Sequence, residues 1–470
     1  MALVCCINRD HRSRLTTLNR KHPGRVRLGY AVLAAIIAGG AAIAVLSDRF
    51  GKQSEQAYRD SIHQLADDGI DITVDSYDRG WFSSEATAVV QFGQRRLTLR
   101  QRISHGPLTL AGGMRPVAAV IETRIEAPPE YATPLRGMFG DVSLGIHTVV
   151  TFDGAFDTFI SLPPSTIAAP LPGCVVKSGG LSYEWYLSPD VHRLSGQGPT
   201  FTSTGGCPQI ELAGVTASGQ SHLEGGHRVG GSRLSIERIE GLARGPAGQI
   251  AWHGLIRNVS FSAGNALKNG RMDLNWKASI GSVAAGSLQM GPMELAAELS
   301  NLDTDKLAEL AREAAEIRKS KLDKDAQERV LGEKAHVLLI AMVRESPTLT
   351  LGLHLVSPDG TSVGQAQMGI SAGFADDPRL VALKQGDPNE KEVMKQLMQQ
   401  YGYASGDLSV PQSFAARVAS ADNLRKSEES GVLKRAGANY ISHFSYKAGE
   451  LIVNGKKFQP APVQPPTPGN

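Results

Sequence analysis

The chain has 470 residues, with 49 Lys+Arg against 46 Asp+Glu and a formal net charge of +3. Hydrophobic residues make up 41% and glycine contributes 51 residues, which excludes a disulfide mini-protein, a collagen and a fully disordered chain. Residues 1–27 carry seven basic side chains and one acid, a balance of +6, so the remainder has 42 basic and 45 acidic side chains, a balance of −3. This negative body lacks a basic and aromatic stripe, so we expect no nucleic-acid partner.

The first element along the chain is an uncharged segment of 20 residues at 28–47 (LGYAVLAAIIAGGAAIAVLS). A helix of that length spans about 30 Å, the thickness of the hydrocarbon core of a bilayer. The basic residues 1–27 predict a cytoplasmic N-terminal tail and a periplasmic body, in a bacterial inner membrane. A cleaved signal peptide and a mitochondrial presequence are the alternatives, but the apolar core of a signal peptide is shorter, about 7–15 residues. The sequence therefore favours an uncleaved transmembrane helix.

The next region, residues 48–300, reads as a helix followed by many strands. An apolar stripe at helical spacing predicts a helix over 48–68. From residue 70 onward apolar and polar residues alternate, as in residues 272–280 (MDLNWKASI), and glycine-rich turns recur between the runs. Alternation with regular turns is typical of antiparallel strands with one covered face, and the runs fit 12–15 strands.

Residues 301–458 are predicted to complete the same β-rich domain with helices and returning strands. Helical spacing over 302–342 predicts two helices divided at Gly332, and a further helix is expected over 388–401. Residues 422–440 are expected to be weakly helical. A hairpin is expected between 348–356 and 363–372. The predicted fold class is α+β and β-rich: a transmembrane helix followed by a large, curved antiparallel sheet with helices on one side or end. The last residues, 459–470, form a proline-rich tail.

Cys174 and Cys207 are the only cysteines of the predicted periplasmic body, and turn-forming residues flank both. In an oxidising compartment such a pair predicts a disulfide. Cys5 and Cys6 would lie in the cytoplasm without partners at metal-ligand spacing. The sequence predicts no metal site and no cofactor.

One local pattern resembles a catalytic motif. Gly360–Gly364 (GTSVG) matches the G-x-S-x-G nucleophile elbow, which needs a strand before the serine, Ser362, and a helix after it. Here a turn precedes the serine and strand-like residues follow it. We therefore predict no catalytic residue and a protein that is not an enzyme.

Three short motifs carry a family resemblance: residues 77–84 (YDRGWFSS), 104–108 (SHGPL) and 449–456 (GELIVNGK). In this order, behind an N-terminal anchor, they resemble the YdgA-like family of bacterial inner-membrane proteins of unknown function. The resemblance implies an anchor and a translocated β-rich domain. It supplies no reaction and no catalytic residues.

The candidate residues of unknown role within these motifs are Gly80, Trp81, Phe82, Ser83, His105, Gly106, Pro107, Asn454 and Gly455. We expect Gly80 to adopt a positive φ at a turn into a strand and Trp81 to pack on that strand. His105 is expected to end a strand, either capping a turn or exposed. A surface that contacts a partner is the alternative.

The leading functional hypothesis is a single-pass inner-membrane protein whose periplasmic sheet binds lipid acyl chains or an envelope protein. The alternative is a scaffold in an envelope complex, such as motility or cell-wall machinery. A hydrolase built around Ser362 is a third hypothesis.

Overall fold

The structure is a computed structural model that describes most of residues 47–458. Within that range it leaves out 57, 61, 64–70, 93–94, 110–114, 127–143, 169–172, 245–248, 320–322, 344–345, 372, 375 and 383–388. The predicted basic tail 1–27, the predicted transmembrane segment 28–47 apart from Ser47, and the predicted tail 459–470 lie outside the described residues. Among the helices that the structure describes, none is long and apolar enough to cross a membrane.

The described residues are rich in strands. The strands are β1 Ile72–Arg79, β2 Ser83–Phe92, β3 Arg95–His105, β4 Leu108–Thr109, β5 Arg115–Pro116, β6 Ala119–Glu126, β7 Gly145–Val150, β8 Phe156–Leu162, β9 Ser165–Ala168, β10 Cys174–Ser178, β11 Leu181–Leu187, β12 Val191–Gln197, β13 Phe201–Gly205, β14 Gln209–Ala213, β15 Thr216–Glu224, β16 His227–Arg244, β17 Ile250–Lys268, β18 Arg271–Ala285, β19 Leu288–Met290, β20 Met293–Asp303, β21 Thr348–Ser357, β22 Gly360–Ile370, β23 Gly402–Pro411, β24 Lys434–Ala436, β25 Asn439–Lys447, β26 Glu450–Val453 and β27 Lys456–Lys457. The helices are α1 (the helical residues between 47 and 63), α2 Thr304–Lys319, α3 Lys324–Val343, α4 Pro378–Ala382, α5 Glu390–Tyr401, α6 Gln412–Val418 and α7 Ala421–Glu429.

Twenty-five of these strands form one antiparallel sheet. Its backbone pairings run in the order β1-β2-β3-β6-β7-β8-β11-β12-β15-β16-β17-β18-β20-β21-β22-β23-β25-β26-β27. Nearly every strand therefore lies beside its neighbour in sequence. At 4.7–4.9 Å between strands, the sheet is roughly 90 Å across. The prediction of a large antiparallel sheet is confirmed.

A line of breaks crosses the middle of this sheet, and we call it the crease. Four strands are interrupted at the crease and continue on its other side: β8 continues as β9, β11 is the continuation of β10, β12 continues as β13, and β15 is the continuation of β14. On that side β9, β10, β13 and β14 form a second row of pairings. The breaks fall at Pro163-Pro164, Gly179-Gly180, Gly198, Gly214 and Gly291-Pro292. Backbone hydrogen bonds close it, including Gly198 N to the carbonyl of Val215 at 2.8 Å. The crease divides long strands into pairs and, together with the short separate strands β4 and β5, brings the number of strands between residues 72 and 303 to 20, where the sequence predicted 12–15.

Two predictions for the later helices are wrong in detail. Gly332 lies inside α3, and the two helices are instead separated between Lys319 and Lys324. Weak helix was expected over 422–440, but the helix ends at Glu429 and strands follow. The expected hairpin is confirmed as Thr348–Ser357 and Gly360–Ile370, and the helix expected over 388–401 is confirmed as Glu390–Tyr401.

Candidate functional site

The two faces of the sheet differ in chemistry between β11 and β25. Directly paired residues point to the same face of a sheet, so the strand register shows which side chains share a face. Four cross-strand rows on one face are almost wholly apolar, and we call this the apolar face. The rows are Ile236, Val259, Ile280, Met293, Leu355; Leu234, Phe261, Ala278, Leu295, Leu353, Gly364, Leu408; Leu194, Gly219, Ser232, Ala263, Trp276, Ala297, Leu351, Ala366, Gly406, Phe444; and Leu274, Leu299, Leu349, Met368, Ala404, Tyr446.

The opposite face, which we call the polar face, carries charged and hydroxyl side chains in the intervening rows. One row contains Arg233, Ser262, Lys277, Ala296, Gly352, Gln365, Asp407 and His443, and the next contains Asn275, Glu298, Thr350, Gln367 and Ser405. Lys277 and Glu294 form an ion pair there at 2.7 Å. Charged and hydroxyl side chains are typical of a sheet surface that faces water, so we assign the polar face to solvent.

The apolar face is open across its centre. Leu295 is 55% exposed, Phe261 47% and Leu353 42%, although each is flanked by apolar neighbours on both sides. Large contiguous apolar surfaces are rare on monomeric proteins and mark interaction sites. The backbone groups below these side chains already pair in the ladders on either side, so the face offers apolar contact without hydrogen bonds. A partner must therefore bring an apolar surface of its own.

A shallow depression of about 470 Å³ lies on the apolar face between two tryptophans. Trp185 lines one side and Trp276 the other, and Gly219 and Ala263 lie in the strands between them. Small residues in the middle of a row of large ones lower the surface locally, which explains the depression.

At its N-terminal end the same face is covered by α1. Cross-strand pairs join Trp185 to Ser84 through Thr158, Thr148, Ile121 and Ile103 in a single row. Tyr58 and Ile62 of α1 are buried in a cluster with Ile103 and Ile121 of that face. The first part of the apolar face is thus a closed core. From β11 onward helices cover only its margin: Leu307 of α2 packs in a cluster with Leu274 and Leu299, and Leu397 of α5 packs against Ile370. The centre of the face remains exposed.

Side chains spaced along one side of α1 hold it on the sheet. Ser47 Oγ donates a hydrogen bond to the carbonyl of Gly106 at 2.8 Å, and the Tyr58 hydroxyl donates to Gln101 Oε1. Burial raises the pKa of Tyr58 to about 12, so its phenol stays protonated as the donor. Between these contacts Gly51 lies against His105, and a Cβ at Gly51 would come within 2.7 Å of the imidazole ring.

His105 forms a buried hydrogen-bonded pair with Ser84 beneath α1. Ser84 Oγ and His105 Nε2 are 2.8 Å apart, and His105 Nδ1 lies 3.3 Å from the carbonyl of Trp81. A carbonyl can only accept, so Nδ1 carries the proton and Nε2 accepts from the serine. Burial lowers the pKa of His105, partly offset by the hydrogen bond to the Trp81 carbonyl, so the ring is neutral.

This pair resembles a serine activated by a base, but its surroundings do not suit catalysis. Ser84 is 1% exposed and His105 is 3% exposed, so α1 would block any substrate. The third group is a backbone carbonyl rather than a carboxylate that could stabilise an imidazolium. The pair therefore positions α1 on the sheet.

The structure decides or corrects the expectations for three motif residues. His105 is buried rather than exposed, and its ring bonds the carbonyl of Trp81 in the turn between β1 and β2. Gly80 does not have a positive φ; a Cβ there would come within 2.6 Å of the Ser83 carbonyl, so close approach of the backbone requires glycine. Trp81 does not pack on the strand, because 65% of its side chain is exposed beside the exposed Phe82.

Gly106 and Pro107 follow β3 directly. A Cβ at Gly106 would come within 2.0 Å of the carbonyl of Val117, so this position also needs glycine for close backbone approach. Pro107, next in the chain, separates β3 from β4. Both residues lie beside Ser47, since the Gly106 carbonyl accepts its hydroxyl.

The third motif closes the C-terminal end of the sheet. Asn454 and Gly455 both have positive φ, 48° and 78°, in the turn between β26 and β27, which is the geometry that Asn-Gly favours in hairpins. Asn454 also donates to the carbonyls of Gly431 and Val432 and accepts from the backbone of His443. These contacts tie the loop after α7 to the last strands.

The remaining candidates lie away from these features. Cys174 and Cys207 form the predicted disulfide, with a Cα–Cα distance of 5.2 Å, at the far end of β10 and β13. Ser362 lies in β22 opposite Leu355, with strand rather than helix after it, so the nucleophile elbow is absent there. No cluster of three or more potential metal ligands occurs in the described ranges.

Sequence reasoning missed the residues that make these contacts most specific. The sequence did not single out Ser47, Gly51 or Ser84. A signal was present, because one side of the helix carries residues 47, 51, 54, 58 and 62. Small residues on that side mark where the helix comes close to the sheet. The continuous apolar rows were also missed, because alternation in one strand does not show which residues pair across strands.

Fold and site together define a class of protein: a single wide antiparallel sheet with one open apolar face and a helix docked over its first strands. A family model described as bacterial protein of unknown function (DUF945) matches residues 29–461. The chain therefore belongs to this bacterial family of unknown function. No curated protein and no solved structure matches the chain.

Proposed function

We propose that this is a non-enzymatic, single-pass inner-membrane protein whose periplasmic sheet binds lipid acyl chains on its apolar face. The observation that carries the proposal is the run of four apolar rows with side chains up to 55% exposed, such as Leu295. Their backbone groups are already paired, so the best-suited occupant needs no hydrogen bonds. Hydrocarbon chains meet this requirement and gain roughly 25 cal/mol per Å² of buried apolar surface.

The place of α1 favours lipid over other apolar partners. Ser47, the last residue of the uncharged segment 28–47, is fixed to the sheet through Gly106. The apolar face begins beneath the helix that follows this segment and continues from there over about ten strands or roughly 40 Å. Its centre is exposed at Leu295, Phe261 and Leu353. A bilayer at residues 28–47 would thus supply acyl chains at the covered end of the face.

Two further features support the proposed topology. The balance of +6 in residues 1–27 fits a cytoplasmic tail. The disulfide between Cys174 and Cys207 fits an oxidising periplasm. The motifs that resemble the YdgA-like inner-membrane family agree with the same placement.

A pair of variants in one strand tests the proposal. Leu353→Glu places a charge in the apolar face, whereas His354→Glu places the same charge on the polar face one residue later. Both side chains are exposed, so neither substitution disturbs a packed core. The full chain is released from membranes under native conditions, and its bound phospholipid is counted by native mass spectrometry.

We expect wild type and His354→Glu to carry bound phospholipid and Leu353→Glu to lose it, because a carboxylate in hydrocarbon is costly. Equal lipid in all three proteins, or none in wild type, would contradict acyl-chain binding at this face.

A further inference from the structure

The aromatic turns beside Ser47 form a second surface, distinct from the apolar face. Trp81 is 65% exposed, Phe82 57% and Phe152 53%. Tryptophan is highly buried on average, so these exposures need an explanation.

The three rings lie at the same end of neighbouring strands. Backbone hydrogen bonds connect them: His105 N to the Phe82 carbonyl at 2.8 Å, Gly106 N to the Ala118 carbonyl at 2.7 Å, and Ala118 N to the Val150 carbonyl at 2.9 Å. Trp81 and Phe82 belong to the turn between β1 and β2, and Phe152 belongs to the turn after β7. These turns therefore form one continuous rim of the sheet, which we call the aromatic rim.

The start of α1 is fixed on the aromatic rim. Ser47 Oγ donates to the carbonyl of Gly106, which lies between the two aromatic turns. One turn further along α1, the ring of Phe50 packs against Phe152 with 5.4 Å between centroids. The apolar segment 28–47 thus ends within the rim itself.

Turns at the same end of later strands have a different composition. The turn between β11 and β12 contains Pro189 and Asp190, that between β15 and β16 contains Gly225 and Gly226, and that between β17 and β18 contains Asn269 and Gly270. Among the turns compared at this end of the sheet, the exposed aromatic rings therefore lie at those beside Ser47, whereas Trp252, which is 54% exposed, lies within β17.

We infer that the aromatic rim contacts the surface of the lipid bilayer, with Trp81 and Phe82 at headgroup level. The inference rests on the proposed anchor, since a segment crossing the bilayer and ending at Ser47 brings the membrane surface to this rim. Tryptophan is enriched at that depth because its ring is apolar and its indole N–H remains hydrated. The contact orients the sheet on the membrane and brings the covered end of the apolar face close to lipid.

Two variants of the full chain, each retaining one reporter tryptophan, test the inference. The first carries W185F, W252F and W276F and keeps only Trp81. The second carries W81F, W185F and W252F and keeps Trp276 on the apolar face. Each is reconstituted into vesicles of phosphatidylethanolamine and phosphatidylglycerol, with or without phosphatidylcholine brominated near the headgroup end of its acyl chains. Flotation with the vesicles reports anchoring independently.

We expect brominated lipid to reduce the emission of Trp81, and its emission maximum to lie at shorter wavelength than in water. A chain that floats with the vesicles while Trp81 emits equally with and without bromine would overturn the inference. The Trp276 reporter distinguishes failure of the rim contact from failure of acyl-chain binding on the apolar face. Quenching of Trp276 alone would support acyl chains on the apolar face and reject the rim contact, and quenching of Trp81 alone would do the reverse.

Discussion

Substituting Gly51 by alanine is the sharpest test of how α1 is held on the sheet. The added Cβ would come within 2.7 Å of the His105 ring, which is buried and held by Ser84 and the Trp81 carbonyl. Because that ring cannot move away freely, we expect an overpacking cost of about 1–3 kcal/mol. Alanine in place of glycine inside a helix recovers about 1 kcal/mol, so the net effect is a loss of up to about 2 kcal/mol.

Gly332→Ala is the matched control, because Gly332 lies inside α3 with no atom within 4 Å of the added Cβ. It should stabilise its helix by up to about 1 kcal/mol. Hydrogen exchange of peptides from 47–63 and 324–343, measured on the full chain in lipid nanodiscs, gives the opening free energy of each helix. The two variants should therefore differ by about 1–3 kcal/mol, or 5–150-fold in protection.

A double variant isolates the contact itself. In a His105→Ala background the ring is gone, so Gly51→Ala should become stabilising like Gly332→Ala. If Gly51→Ala slows exchange in α1 as much as Gly332→Ala does in α3, without any dependence on His105, then His105 does not position the helix and the docking argument is wrong.

Three other perturbations have expected outcomes. Because burial lowers the pKa of His105, docking of α1 should be fully stable above about pH 6.5 and should weaken as the pH falls below it. Hydrogen exchange of α1, corrected for intrinsic rates, measures this dependence. A profile that does not change with pH would contradict a buried neutral imidazole. Reducing the disulfide, which closes a loop of 33 residues, should lower the free energy of unfolding by about 3–4 kcal/mol in urea titrations, and no change would show that the strands alone restrict that loop. Asp377→Asn should speed hydrogen exchange in α5, because the hydrogen bond from Arg379, with a further one from Tyr401, holds the pKa of Asp377 well below its usual range. The control Asp376→Asn, at an exposed neighbour, should leave the exchange of α5 unchanged. Equal effects of the two variants would reject the hydrogen-bond network.

Local patterns predicted much of this fold. Period-two alternation predicted the strands, Asn-Gly pairs predicted the turns at 269–270 and 454–455, and helical spacing predicted the helix Glu390–Tyr401. These features depend on residues close together in the chain, whose conformational preferences are local. The disulfide was also predicted, because the predicted body contains only two cysteines.

The crease and the buried histidine were not predictable in the same way. Glu237 donates its backbone N–H to the carbonyl of Gly214 at the crease, and Asn258 has a positive φ of 54°, yet in the sequence both look like ordinary strand residues. Only the register of several strands together shows that these positions line up, since the pairing of β16 with β17 passes over both. His105 is polar and ends a strand, which favours exposure, but the docked α1 buries it. Both the crease and the burial of His105 therefore depend on contacts between segments that are distant in the sequence.

Photocrosslinking in living cells tests the central claim most directly. A benzophenone amino acid replaces Phe261 on the apolar face of the full chain, and in a control protein it replaces Ser262 on the polar face of the same strand. Adducts formed on illumination are identified by mass spectrometry. Acyl-chain binding predicts phospholipid adducts at position 261 and none at position 262. Protein adducts at 261, or equal lipid labelling at both positions, would contradict the account.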